Sequence, residues 1–102
     1  MFKFVLTEIV ARGKEAEDKA WRNKQAERLQ AIGVGVPKVY AVLGREAGKV
    51  FVEFGEAETW QEVEEITAKM GMDEALQALE NERAEKGMIV EGSTEGYILV
   101  DY

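Results

Sequence analysis

The chain has 102 residues, a formal net charge of −7, no histidine and no cysteine. That length fits one domain, residues 1–102, with a modest core. The missing residue types exclude disulfides, thiolate chemistry and the commonest general base and zinc ligand, and the acidic balance argues against a nucleic-acid partner.

The first strand is expected over residues 2–11. Phe2, Phe4, Leu6 and Val10 fall on one side of it, and Val5 and Ile9 on the other. Gly13 ends that run. A helix rich in Ala, Glu, Lys, Gln and Arg follows over residues 14–32. Trp21, Gln25, Arg28, Leu29 and Ile32 share one of its sides at helical spacing. Its charges read as a solvated face, with Glu15–Lys19 and Asp18–Arg22 as intrahelical pairs. Gly33 is placed as the C-cap.

Residues 36–43 read as a second strand entered at Pro37, and residues 49–54 as a third. The short Gly44–Gly48 loop between them makes that pair antiparallel. Thr59-Trp60-Gln61-Glu62 is a capping box that opens the next helix. Trp60, Val63, Ile66, Thr67 and Met70 form its expected buried stripe, and Gly71 breaks or bends it. Asp73 then caps a further helical segment that carries Leu76, Leu79 and Arg83 and ends near Gly87. Short strands at residues 88–91 and 97–102 flank a glycine-bounded turn.

The order is β-α-β-β-α-β. It is the ferredoxin-like α+β arrangement, an antiparallel sheet with helices on one face. The strands are apolar on both faces, yet the helices suffice to cover only one. The open face is therefore expected to pair with a second copy of the chain, forming a homodimer through the sheet faces. No spanning apolar stretch and no leader pattern are visible, so no membrane partner or signal peptide is expected, and the location read from this is cytoplasmic.

Gly48-Lys49-Val50-Phe51-Val52-Glu53-Phe54 leads into Ala57-Glu58-Thr59-Trp60-Gln61-Glu62. On this stretch, on element order and on length, the chain resembles the dimeric α/β barrel superfamily. Its members include antibiotic-biosynthesis monooxygenase-like, NIPSNAP-like and stress-response A/B barrel proteins. The resemblance implies a ligand cavity between sheet and helices in each subunit. The histidines of the haem-degrading and many stress-response members are absent here, which puts those two activities in doubt.

For such a cavity, Glu53 is the acid/base candidate, Tyr40 the proton donor and Arg28 the oxyanion stabiliser. Glu8 shares the ambiguity of Glu53, lying either in an enclosed site or at a solvated edge. Trp21 and Trp60 form either an aromatic wall for a ligand or plain core. Asn23 and Gln25 are the polar groups of the first helix that would face a ligand. The glycines do not form a phosphate loop, and no metal site or cofactor is expected. The implied function is a cofactor-independent monooxygenase, cyclase or isomerase acting on a small aromatic or enolisable compound. The alternatives are a non-catalytic homodimeric ligand-binding or stress-related module, or a structural assembly unit.

Overall fold

A computed structural model describes residues 1–102. Strand β1 spans Phe2–Ile9, and helix α1 spans Glu15–Ala31. Strands β2 (Lys38–Ala41) and β3 (Lys49–Ala57) follow. Helices α2 (Trp60–Met72) and α3 (Glu74–Glu85) precede strand β4, Glu95–Val100. The sheet is antiparallel throughout, in the order β2-β3-β1-β4. With the helices on one side of it, this is the ferredoxin-like α+β fold.

The alternation of β1 divides its side chains as the sequence implies. Phe2 and Phe4 pack with Phe54, Ala57, Val63 and Ile66 under α2. Glu8, of the same parity, reaches α1 and α3. Lys3, Val5, Thr7 and Ile9 therefore point to the opposite, helix-free face. Residues paired across the ladder share a face, which adds Tyr40, Phe51, Glu53, Tyr97 and Leu99 to that side.

Several sequence expectations are corrected. Strand β2 is only four residues long, and it stops before Val42. Strand β3 continues past Phe54 to Ala57, through a bulge opposite Phe4 and Val5. The proposed strand at 88–91 shrinks to one bridge, Val10–Ile89, because the chain there only crosses the end of β1. Helix α2 runs through Gly71 to Met72 without breaking. Of the two intrahelical pairs expected in α1, Asp18–Arg22 forms, and Lys14 pairs with Glu17 as well.

Gly48 shows why its loop needs a glycine. Its φ is +80°, and an added Cβ would lie 2.8 Å from the Val10 carbonyl oxygen. Its own carbonyl accepts from the Val10 amide at 2.9 Å. The hairpin is thereby pinned to the end of β1.

Helix starts follow the capping signals. Thr59 Oγ1 accepts from the Glu62 amide at 3.2 Å. The Glu62 carboxylate reaches back to the amide of Glu58 at 3.1 Å, one residue earlier than a standard capping box. Asp73 does two things at once. Its Oδ2 accepts from the Leu76 amide at 3.0 Å, capping α3. It also takes two hydrogen bonds from Arg28 of α1, at 2.9 and 2.5 Å. Those bonds hold the Asp73 carboxyl below the usual carboxylate range, and the Leu76 amide adds to the effect.

Replacing Thr59 by Ala will lower unfolding free energy by about 1 kcal/mol, measured by urea denaturation. Asp73→Asn keeps a capping oxygen and loses the ion pair. The folded Asp73 carboxyl is the stronger acid, so its stabilisation is present above the ordinary carboxylate range and is lost as pH falls through the folded value. The variant will lose that acid-side slope in urea midpoint against pH; an unchanged slope would show that the pair is irrelevant to stability.

Candidate functional site

The one place where charges converge inside the layer is the end of β1. Glu8 is 1 % exposed, although it is a carboxylate on a strand. Its Oε2 accepts from Arg22 Nη2 at 2.7 Å and from Arg83 Nη2. Its Oε1 accepts from the Thr94 hydroxyl at 3.1 Å. Arg22 also donates from Nε to Asp18 Oδ2 at 2.7 Å. Two carboxylates and two guanidiniums are thus enclosed together, and their charges balance. A buried charge is tolerated only with such partners.

Helix periodicity places the members. Asp18 and Arg22 lie four apart on α1, with Trp21 between them. Trp21 is buried, and its Nε1 donates to the Leu79 carbonyl of α3 at 2.7 Å. The guanidinium of Arg83 lies over the Trp21 ring, 4.4 Å from its centroid. Thr94 is brought in by the return segment. That segment is clamped to β1 through Val90 N–H to Ile9 O at 2.8 Å and Ile9 N–H to Ser93 Oγ at 3.1 Å.

Arg83 and Thr94 also line a cleft of about 510 Å³ between α3 and residues 87–94. Glu80, Ile89, Val90 and Glu91 complete most of its wall. Glu80 Oε1 lies 3.9 Å from Arg83 Nη1. The Glu80 side chain is 53 % exposed at the mouth of the cleft; the loss of water on its protein side tends to raise its carboxyl above the ordinary range, solvent on the other side weakens that effect, and the Arg83 charge opposes it. The cleft therefore sets a carboxyl with a heightened proton affinity beside a rigidly held cation. That pairing can move a proton and hold a developing negative charge. No cluster of metal-ligating side chains is present.

The residues singled out from the sequence are dispersed. Glu53 and Tyr40 are both on the helix-free sheet face. Glu53 is paired with Lys3 at 3.4 Å and lines a shallow depression with Val36 and Lys38. Tyr40 is half-exposed, its ring 6.3 Å from that of Phe51. Arg28 lies in the helix layer, held by Asp73. The three do not meet in one cavity. Trp21 is core and a support for Arg83. Trp60 is 53 % exposed, set edge-on to Phe2 at 5.8 Å and bonded to Glu64 at 2.9 Å. Trp60 is therefore not part of a buried stripe, because α2 turns its first residue outward past the edge of the core. Asn23 is exposed, and Gln25 is half-buried.

Sequence reading named none of Asp18, Arg22, Arg83, Thr94 and Glu80 as site residues; it took Asp18–Arg22 for a pair on a solvated face, whereas the two side chains are only 5 % and 10 % exposed because α3 and Glu8 cover them. A signal was available. Asp18, Trp21, Arg22 and Leu29 occupy adjacent turns of one helix side, and Glu8 interrupts an apolar strand face.

No protein-family model matches the chain, and no curated protein matches it by sequence. Solved structures do match its shape. A NIPSNAP family protein from Agrobacterium tumefaciens is 19 % identical, with a TM-score of 0.75 over 99 % of this chain and 85 % of that one. An uncharacterized NIPSNAP domain protein from Burkholderia xenovorans is 13 % identical, with a TM-score of 0.75 over 100 % of this chain and 95 % of that one. An antibiotic biosynthesis monooxygenase is 7 % identical, with a TM-score of 0.69 over 100 % of this chain and 99 % of that one. The chain has the fold of these proteins. At such identities the likeness is one of fold, and the chemistry has to be argued from this chain's own residues.

Replacing Glu8 by Ala leaves two guanidiniums buried without their shared acceptor. The expected loss is about 3–5 kcal/mol of unfolding free energy. Glu8→Gln, which keeps an acceptor oxygen, will lose less. Equal stability of Glu8→Ala and wild type in urea would show that the network is dispensable.

Proposed function

We propose that the chain is a small-molecule protein of the dimeric α/β barrel type, using the cleft beside α3 for proton transfer on an enolisable carbonyl compound. The observation that carries this reading is the pairing of Glu80 with Arg83 at the cleft wall. Glu80 removes a proton from the carbon next to the carbonyl. The C–H electron pair moves to the carbonyl oxygen, and the Arg83 guanidinium stabilises the enolate that results. Return of the proton to the other face of the same carbon gives the epimer, and in a β,γ-unsaturated substrate, whose enolate is conjugated with the double bond, return to the γ-carbon gives the conjugated isomer; no oxidant or cofactor is consumed. Helix α3 holds both groups three residues apart, so their spacing is set by backbone geometry.

The reading includes a second copy of the chain and a cytoplasmic setting. No helix is long and apolar enough to cross a membrane. The helix-free sheet face carries Tyr40, Phe51, Tyr97 and Leu99. Tyr40, Tyr97 and Leu99 are 49 %, 46 % and 44 % exposed. At about 25 cal/mol per Å², covering a few hundred Å² of such surface adds several kcal/mol to association. Twofold pairing of this face encloses Glu53 and Tyr40 between the two sheets. They then act on a ligand only from within the dimer, separately from Arg28. The burial of Trp21 under the Arg83 guanidinium, rather than at a cavity wall, supports a second reading, a binding module that holds its ligand without turnover.

Two measurements test this. In D2O, wild type will accelerate α-proton exchange of small ketones and β-keto acids, followed by NMR. Glu80→Gln will lower that rate by about 100-fold or more. Binding without exchange would leave the module reading; an unaffected Glu80→Gln would remove Glu80 from the chemistry. In sedimentation at micromolar concentration the chain will run as a dimer, and Leu99→Glu will run as a single protomer. A folded wild-type monomer would end the pairing proposal.

A further inference from the structure

The cleft between α3 and residues 87–94 has a charge pattern that bears on what it can hold. Arg83 is the only cation in its wall, and its side chain is 9 % exposed. Its Nη2 donates to Glu8, and its Nε is buried without a partner. Its Nη1 makes no hydrogen bond within the protein and is not fully buried; Glu80 Oε1, at 3.9 Å, is too far to accept from it. Nη1 is thus the donor of this guanidinium left for a ligand, and it calls for an acceptor oxygen.

That oxygen can belong to a neutral carbonyl or to a carboxylate, and the surrounding charges decide between them. Arg83 is already matched by Glu8 inside the enclosed network, where Asp18 and Arg22 balance as well. Two carboxylates remain, Glu80 and Glu91, both on the exposed rim of the cleft. No other cation lines it.

An anion seated on Nη1 is therefore repelled by two rim carboxylates and attracted by a guanidinium whose counter-ion is in place. A neutral carbonyl escapes that repulsion and still accepts the bond from Nη1. Ala84, Ile89 and Val90 supply the apolar part of the wall, which suits a short hydrocarbon body.

Resting on the reading of this cleft as the ligand site, we propose that it selects uncharged carbonyl compounds, such as ketones and esters, over carboxylates, and that Glu91 sets the selection. Glu91 takes no part in the proton transfer assigned to Glu80, so its charge can be varied separately from the chemistry. It is exposed, so its variants keep the fold.

Methyl acetoacetate and acetoacetate are matched probes, both enolisable and alike in shape, of which only the acid is charged at neutral pH. Titrated into wild type at low salt, the ester will give saturable NMR shifts at the Ile89 and Val90 methyl groups. It will bind about tenfold more tightly than acetoacetate, the order of repulsion expected from two solvated carboxylates. Salt at about 1 M, where the screening length is about 3 Å, will narrow that ratio. Glu91→Gln will lower it to about threefold, and Glu91→Lys will abolish or reverse it. Glu65→Gln, the same charge change on α2 outside the cleft, will leave it unaltered. Equal or tighter binding of acetoacetate to wild type, or a ratio that Glu91→Gln does not lower, would overturn the selection and leave the cleft as a ligand site. A ratio that Glu65→Gln lowers equally would assign the repulsion to the overall charge and overturn the role of Glu91. Selective ester binding without proton exchange would remove the proposed chemistry and uphold the selection. Without saturable shifts at Ile89 and Val90 from either probe, both readings fall.

Discussion

The carboxylate of Glu8 is the point at which three elements of this fold are joined. It lies on the helix-facing side of β1 and receives a guanidinium from α1 and another from α3. An apolar residue there would pack, but it would give neither arginine a partner. Arg22 and Arg83 could not then be enclosed, since an unpaired buried charge costs more than its neighbours can return. Because both helices reach the same carboxylate, their distance from the sheet and from each other is set at one atom pair. The stacking of Arg83 on Trp21, and the bond from Trp21 to the Leu79 carbonyl, lock that spacing.

The same joint borders two of the openings in the fold. The tight core under α2 is built from Phe4, Ala57 and Val63 with Phe2, Phe54 and Ile66 around it. At the opposite end of β1 the polar network replaces apolar filling, and space opens on both sides of it. One opening is walled by Arg83, Glu80 and Thr94, the other by Asp18 and the hairpin. Charged side chains that must be hydrogen-bonded cannot interlock as densely as aliphatic ones.

Much of the architecture was legible in the chain itself. The alternation in Phe2–Val10, the glycine at position 48, the Thr59 capping signal and the Asp73 cap each act over a few residues. Local geometry decides such features, so they can be read locally. The errors share one cause. Strand β2 is shorter than its apolar run because the hairpin beyond Ala41 leaves the sheet, and the apolar run at Met88–Val90 forms only a bridge because it crosses the end of β1. Trp60 reads as core by helical spacing, yet it is 53 % exposed, set edge-on to Phe2 with its indole N–H turned to Glu64. Period alone reports which residues share a side; it does not report what stands opposite them.

The candidate site divides along the same line. Sequence by itself determined the element order, the single face available to the helices, and the exclusion of histidine and thiol chemistry. It also placed Asp18 and Arg22 as a pair on α1, since four residues on a helix make one neighbourhood. Only the tertiary structure decided that Glu8 is enclosed, that Arg83 comes to it from 75 positions away, and that Glu53 and Tyr40 share the helix-free sheet face while Arg28 stands in the helix layer. The physical reason is range. Helix and strand periods act between near neighbours, whereas burial and charge pairing depend on which distant segments are pressed together.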